Sequence, residues 1–190
     1  VAVDTDFTEP PYLMSMDANG YEAVVYDLDG TLVHLAVDWA AVATDVIEIY
    51  DEAGIDAHGA DLWDLLGRAE SHDISEQVES TISRHEHTGA HESRRLSLAD
   101  ELLDHSVPVG VCSLNCERAC RIALETHDLS AGVESVIGRD SVDTHKPDPE
   151  PLLATLSALG VDPSEAVFIG DSPRDGTTAE RAGVDFRYVD

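Results

Sequence analysis

The sequence predicts an α/β protein: a Rossmann-like parallel sheet in a three-layer α/β/α core, with a small inserted helical unit. Three observations carry that prediction. An apolar run near the start, "EAVVYDLDG", ends in acidic residues and glycine; the stretch from Asp38 to about His105 has helical apolar spacing with no strand; and from Val107 onward strand-like and helix-like segments alternate. Buried parallel strands read as near-continuous apolar runs, and strands alternating with helices are joined by crossovers into one parallel sheet.

Taken in order, residues 1–20 are acidic, contain Pro10-Pro11 and show no period, which predicts a loosely ordered tail, with Met14 or Met16 as alternative starts. Residues 21–35 carry the first strand, residues 36–96 the helical insert, and residues 97–190 the rest of the core. Within the insert, "DWAAVATDVIEIYDEAG" spaces Trp39, Val42, Val46, Ile49 and Tyr50 along one helical face, with Asp38 as cap and Gly54 as stop. "ADLWDLLGRAE" and "DISEQVESTISRHEH" predict two more helices, and "LSLADELLDHS" another at the return to the core. Then "VPVGVCS" is a strand, "NCERACRIALETH" a helix, "VESVIG" a strand, and "DPEPLLATLSALG" a helix with Pro149 in its first turn and Gly160 at its end. "EAVFIGD", "RDGTTAERAG" and "VDFRYV" complete strand, helix and strand.

Thirty-nine acidic residues against eleven basic ones give a net charge of −28, yet 43% of the residues are apolar, so a core is available and the acidity belongs to the surface. Such a surface repels itself in dilute buffer, whereas at molar salt the Debye length shrinks to about 3 Å. The expected setting is a salt-loaded cytoplasm, and the expected state a monomer or small homo-oligomer. With no basic residue before Arg68 there is no amino-terminal basic patch, and nucleic acid and anionic membrane surfaces are excluded as expected partners. No apolar run approaches the ~18 residues of a membrane span, and the start lacks the basic region of a signal peptide, so a soluble, cytoplasmic protein is expected. Cys112, Cys116 and Cys120 are odd in number and wrongly spaced for a metal pair, and read as packed small apolar residues.

Ligands of an open parallel sheet gather at the carboxyl ends of its strands. Asp27 and Asp29 follow the first predicted strand, Ser113 the second, Lys146 lies in the loop beyond the third, and Asp171 with Asp175 follow the fourth. Clustered carboxylates repel one another unless a hard cation sits among them, and Mg²⁺ takes such oxygen ligands; lysine and loop amides favour an anion. A metal-assisted site for a small phosphorylated substrate fits this inventory. Lys146 is the only lysine of the 190 residues. A compact ammonium on a flexible stem suits packed carboxylates where the planar arginine fork reaches too wide.

"DLDGT" at 27–31, Ser113, Lys146 in "HKPDPEP" and "GDSPRD" at 170–175 resemble the four ordered motifs of the haloacid dehalogenase-like hydrolase superfamily, over residues 22–190. The insert is similar to that superfamily's C1-type cap, and the whole looks like its phosphoglycolate phosphatase-like branch. The resemblance implies an Mg²⁺-dependent phosphomonoesterase with an aspartyl-phosphate intermediate. Asp27 is then the nucleophile and Asp29 the general acid and base. Mg²⁺ is held by Asp27, the backbone carbonyl of Asp29 and Asp171, with Asp175 in support directly or through water. Ser113 and the amides of the loops containing Gly30, Thr31, Leu114 and Asn115 take the phosphoryl oxygens, and Lys146 offsets charge on Asp27 and phosphate. A sugar-phosphate mutase of the same superfamily and a noncatalytic binding module are the alternatives. Dehalogenase chemistry is disfavoured because Asp29 is present, and phosphonate hydrolysis for that reason and because the insert has no lysine.

Singly, these residues have plainer readings: Asp29 and Gly30 as a turn, Ser113 or Asn115 as a helix cap, and Asp148 as the cap before Pro149. The cap reading is kept for Asp148 and for Asn115. In the insert, "SRHEHTGAHESRR" concentrates Arg84, His85, His87, His91, Arg94 and Arg95. Solvent-facing pairing with Glu86 and Glu92 is the leading reading; recognition of a second anionic group and a zinc shared by His87 and His91 remain open, with Gly89 expected to weaken the helix between them. His34 is placed at the cleft or the hinge, and His145 is structural or exposed.

Overall fold

The structure is a computed structural model and describes residues 20–189, so the predicted tail, apart from Gly20, lies outside the described residues. Four-residue β1 (Ala23–Tyr26) is buried along its whole length. Its alternate residues serve opposite layers: Val24 and Tyr26 join one apolar cluster with α5 (Glu117–Thr126), while Ala23 and Val25 join another with α6 (Glu150–Leu159) and α7 (Pro173–Ala182). Period-two alternation with both faces covered is why this segment is apolar throughout.

Around β1 the sheet adds β4 (Val109–Cys112) and then β5 (Ser135–Ile137) on one side, β6 (Ala166–Gly170) and then β7 (Asp185–Tyr188) on the other, in the order β5-β4-β1-β6-β7. Every pairing in it is parallel. This is the predicted α/β fold. Helices α6 and α7 end where left-handed glycines turn the chain, Gly160 (φ +72°) and Gly183 (φ +71°), a backbone that side chains with a Cβ resist.

The helical insert contains α1 (Trp39–Glu52), α2 (Leu62–Ala69) and α3 (Ser75–His91), followed by the short α4 (Leu98–Leu102). Asp38 caps α1 by accepting from the amides of Ala40 and Ala41, and Asp61 does the same for α2. Val42, Val46, Tyr50, Leu65, Ala69, Val78 and Ile82 make a separate apolar core, and the buried Tyr50 hydroxyl donates to Leu65 O at 2.6 Å. Fully burying a Val or Leu is worth ~1.5–3 kcal/mol, which gives the insert its own packing energy.

Two expectations fail here. The segment after Asp38 is not free of strands: β2 (Val33–His34) pairs antiparallel with β3 (Arg94–Arg95), tying together the two chain crossings between insert and core. Arginine pairs carry no strand periodicity, so only the neighbouring segment reveals this ladder. Gly89 does not interrupt its helix either; α3 runs through it to His91, and a Cβ at Gly89 would press into Val37 and the Ala36 backbone. That glycine permits close approach of the crossing chain.

Candidate active site

Lys146 lies at the centre of the sheet's carboxyl edge and is buried. Its ammonium donates to Asp27 Oδ1 at 2.8 Å, to Cys112 O at 3.1 Å and to Asp175 Oδ1, and it sits 5.4 Å from the Phe168 ring centre. Burial opposes the charge, but the Asp27 and Asp175 carboxylates outweigh it and hold the lysine pKa well above its ordinary value. For Asp27, burial is the largest influence and pushes the carboxyl up, against the opposing pull of Lys146. The Asp27–Lys146 ion pair is therefore held in a place where burial disfavours a lone carboxylate charge.

Asp175 serves two tasks from the start of α7. Its Oδ1 meets Lys146, and its Oδ2 accepts from the Ser172 amide at 3.0 Å and hydroxyl at 2.6 Å, closing a capping box. Asp171 is exposed beside it, its carboxyl raised by desolvation and by the Asp175 charge. The Asp29 carboxylate accepts from the Leu35 amide at 2.8 Å, and burial raises its pKa above the ordinary range. His34, exposed at the hinge, brings Nδ1 to 3.7 Å from the same oxygen.

Gly30 and Thr31 enter differently from expectation. Their amides close the turn onto Val33 O and Leu28 O, at 2.8 and 3.3 Å, and the Thr31 hydroxyl is buried with no hydrogen-bond partner among the described residues. Both amides are thus engaged within the turn itself. Gly30 has φ +85°, and a Cβ there would overlap the Asp171 carboxylate, so both backbone and space demand glycine.

Ser113 is buried after β4, and its hydroxyl donates to Asn115 Oδ1 at 3.1 Å. The expectation that Asn115 caps α5 is corrected. The amides at that helix start are taken by carboxylates from elsewhere: Cys116 N donates to Glu86 Oε2 at 3.0 Å and Glu117 N to Asp140 Oδ1 at 2.7 Å, while Asn115 Nδ2 donates to Glu86 Oε1 at 3.2 Å. Asp148 does act as a cap, accepting from the Glu150 amide at 3.0 Å. All three cysteines are free and buried, with thiol pKa values pushed up by burial, to about 12 for Cys112 and about 11 for Cys116.

Arg84, His91, Glu92 and Arg94 face solvent as expected, but Glu86 does not. It is fully buried and bound by Arg139, whose guanidinium also spans Glu79, at 2.7 Å to each. Basic side chains around it are engaged away from the cleft: His85 with Asp45 at 2.7 Å, His87 with Cys116 Sγ at 3.4 Å, and Arg95 with Asp100 at 2.7 Å. Neither these nor Arg84, His91 and Arg94 line the cleft that holds Asp27 and Lys146.

That cleft, about 230 Å³, is lined by Asp27, Asp29, Ser113, Leu114, Asn115, Lys146, Asp171 and Ser172 from the core and by Trp39 and Trp63 from the insert. The two indoles lie 5.9 Å apart at a tilt of 50°. Sequence reasoning assigned Trp39 to a helix face and left Trp63 unremarked; that these are the only two tryptophans was the available signal. A larger depression, about 520 Å³, lies at the opposite edge of the sheet around His105 and Pro108, away from every residue just described.

Asp27, Asp171 and Asp175 each offer a carboxylate oxygen, and the three lie within 4.8 Å of one another. An all-oxygen set of this charge fits a hard divalent cation such as Mg²⁺. Both Asp175 oxygens already have partners, which leaves Asp27 and Asp171 the less committed donors, and the Asp29 carboxylate stands outside the group.

Fold and edge together define a haloacid dehalogenase-like enzyme. The haloacid dehalogenase-like hydrolase family matches residues 24–189, and the chain belongs to that family. It is 33% identical to a phosphoglycolate phosphatase of Rhodospirillum rubrum, over 86% of this chain and 77% of that protein. It is 25% identical to the pyrophosphatase PpaX of Bacillus velezensis, over 85% and 79% of the respective chains. Among solved structures it resembles a HAD-superfamily hydrolase, subfamily IA, of Geobacter sulfurreducens, with a TM-score of 0.59, 25% identity, and coverage of 90% of this chain and 89% of that one.

Proposed function

We propose that the protein is a phosphatase that hydrolyses a small phosphomonoester through an aspartyl-phosphate intermediate, with Mg²⁺ as cofactor and residues 36–96 as its cap. The observation that carries this reading is Lys146 Nζ, buried 2.8 Å from Asp27 Oδ1 and bonded also to Asp175, with Asp171 alongside. Phosphatase names among the relatives support it.

Asp27 attacks phosphorus with a carboxylate oxygen, and the bond from phosphorus to the leaving alcohol oxygen breaks. Asp29, its pKa raised by burial, gives its proton to that oxygen. It then takes a proton from the water that attacks the phospho-aspartate, releasing phosphate and restoring Asp27. Lys146 counters the desolvation of the Asp27 charge and faces the phosphoryl charge, while the Leu114 amide offers a donor at the cleft wall and the Ser113 hydroxyl becomes one by turning from Asn115. Asp27 and Asp171 would hold Mg²⁺, whose charge offsets the repulsion between carboxylate and phosphate. Trp39 and Trp63 exclude water over the reacting atoms.

The test is phosphate release from a panel of small phosphomonoesters in molar KCl, with and without Mg²⁺, comparing the native protein with Asp27→Asn. Metal-dependent release abolished by the substitution is expected. Release that survives Asp27→Asn would refute the nucleophile assignment.

A further inference from the structure

Among the described residues the insert lines the cleft with two side chains, and both are indoles. Trp39 and Trp63 each stand in the first turn of a helix, α1 and α2, whose starts are fixed by the caps at Asp38 and Asp61. Both are half-buried, which leaves ring surface open to the cleft. Their ring centres lie 5.9 Å apart at a tilt of 50°, within the range of a paired aromatic contact, so a third ring packs against the pair rather than between its members. Trp63 also borders the neighbouring hollow, where the Arg174 guanidinium lies over it at 5.6 Å and holds the ring in place.

Positive charge in the cleft is already assigned. Lys146 is the only cationic side chain among the described residues that line it, and its ammonium is bonded to Asp27, Asp175 and Cys112 O. Helix-start amides that could draw an anion are occupied too: those of Ala40 and Ala41 donate to Asp38, and those of Trp63 and Asp64 to Asp61. Beyond the Asp27–Lys146 pair, the charged groups of the lining are the carboxylates of Asp29 and Asp171. A second anion on the ligand would face those carboxylates without a donor of its own, whereas a neutral ring would cover indole surface and remove apolar area from water. At about 230 Å³ the cleft is smaller than the ~300–1,000 Å³ of sites for drug-sized ligands, which limits the ligand to one ring beside the phosphoryl group.

We propose that Trp39 and Trp63 form a ring-binding subsite, so that the preferred ligand is a phosphomonoester whose alcohol part carries a single planar aromatic ring and no second anionic group. The phosphoryl end lies at Lys146 and the ring against the two indoles. The proposal deepens the phosphatase reading and rests on it for the position of the phosphoryl end.

The test uses inert phosphonates, so it does not depend on turnover. In molar KCl with Mg²⁺, isothermal titration calorimetry compares benzylphosphonate, which carries a planar ring, with cyclohexylmethylphosphonate, a saturated ring of similar size, with propylphosphonate, which has no ring, and with 3-phosphonopropionate, which has a second anion. Each is titrated into native protein, Trp39→Leu and Trp63→Leu. Native protein is expected to bind benzylphosphonate about tenfold more tightly than propylphosphonate or 3-phosphonopropionate, with cyclohexylmethylphosphonate between, since ring burial and aromatic contact add. Each leucine variant is expected to bring benzylphosphonate down to the cyclohexylmethylphosphonate value or below, and Trp63→Phe to keep most of the preference. The proposal is overturned if 3-phosphonopropionate binds native protein as tightly as benzylphosphonate or better, if the planar and saturated rings bind equally, or if both leucine variants keep the native preference. Should the leucine variants fail to fold by circular dichroism, native protein alone carries the test. Both tryptophans of the protein line the cleft, so saturating benzylphosphonate is expected to change their fluorescence, and unchanged emission overturns the proposal. Ring preference without hydrolysis of any ester would leave this subsite standing and sink the phosphatase reading, while hydrolysis without ring preference would do the reverse.

Discussion

Glu86 on helix α3 and Arg139 after strand β5 meet at 2.7 Å with both side chains buried, and the same carboxylate accepts from Asn115 Nδ2 and Cys116 N beside Ser113. One insert residue thus braces the loop that lines the cleft. Removing one partner of a buried ion pair leaves the other uncompensated, at a cost of ~3–5 kcal/mol. Thermal melts of Arg139→Met and of Glu86→Leu in molar KCl are expected to show that loss. The double variant Glu86→Leu/Arg139→Met is expected to recover much of the stability but little turnover, since the loop stays unbraced. A double variant with native kcat would show the brace to be irrelevant to catalysis.

Lys146→Arg is expected to fold and to lose at least about a hundredfold in kcat, the scale of losing a key charge in a closed site. The buried space between Asp27, Asp175 and Cys112 O accepts a single ammonium. Circular dichroism with phosphate release separates this from unfolding, and near-native turnover would show that reach is not the reason for lysine.

Gly30→Ala forces a Cβ into the left-handed region, costing ~1–2 kcal/mol in backbone energy. It also displaces the Asp171 carboxylate, since the two cannot occupy the same space. The expected result is a lower melting temperature and a raised Mg²⁺ requirement in the same variant. An unchanged Mg²⁺ requirement would detach Asp171 from metal binding.

The Asp29 carboxyl has a folded-state pKa above its unfolded value because it is desolvated. At neutral pH its charge therefore opposes folding, and stability relative to the unfolded chain rises as pH falls into the window between the raised and ordinary values. Asp29→Asn, which keeps an acceptor for the Leu35 amide, is expected to melt higher than the native protein at pH 7 without divalent metal, and the gap should close as pH falls toward the ordinary carboxylate range. The same variant is expected to be inactive. A gap that widens on acidification would contradict the sign of the shift.

With a net charge of −28, the fold is expected to require roughly molar salt, where screening shortens the self-repulsion to about 3 Å. The buried thiols provide a readout: their raised pKa values and lack of access predict no reaction with a disulfide reagent at pH 8 in molar KCl, and release of all three on desalting. Protected thiols and native circular dichroism at millimolar salt would count against the requirement.

Much of the fold was readable because strand and helix periods depend on neighbouring residues. The run "AVVY" lies along β1, Asp38 caps α1, and Gly160 ends α6 in the left-handed form. The ladder of Val33–His34 with Arg94–Arg95 was not readable, because its partners are about sixty residues apart and neither segment alternates. Nor was the burial of Glu86, an acidic residue in a charged run whose only local signal pointed to solvent.

By itself the sequence determined the class of fold and the residues that carry charge to one sheet edge, since in a parallel sheet every strand end that bears Asp27, Ser113 or Asp171 must point the same way. Only the tertiary structure decided which of those groups touch. It committed Lys146 to Asp27 and Asp175, turned the Gly30 and Thr31 amides inward, gave His85, His87 and Arg95 partners away from the cleft, and stacked Arg174 on Trp63. The physical reason is reach: hydrogen bonds and ion pairs form within about 3 Å, and contacts between residues far apart in the chain at that distance are set by packing rather than by spacing in sequence.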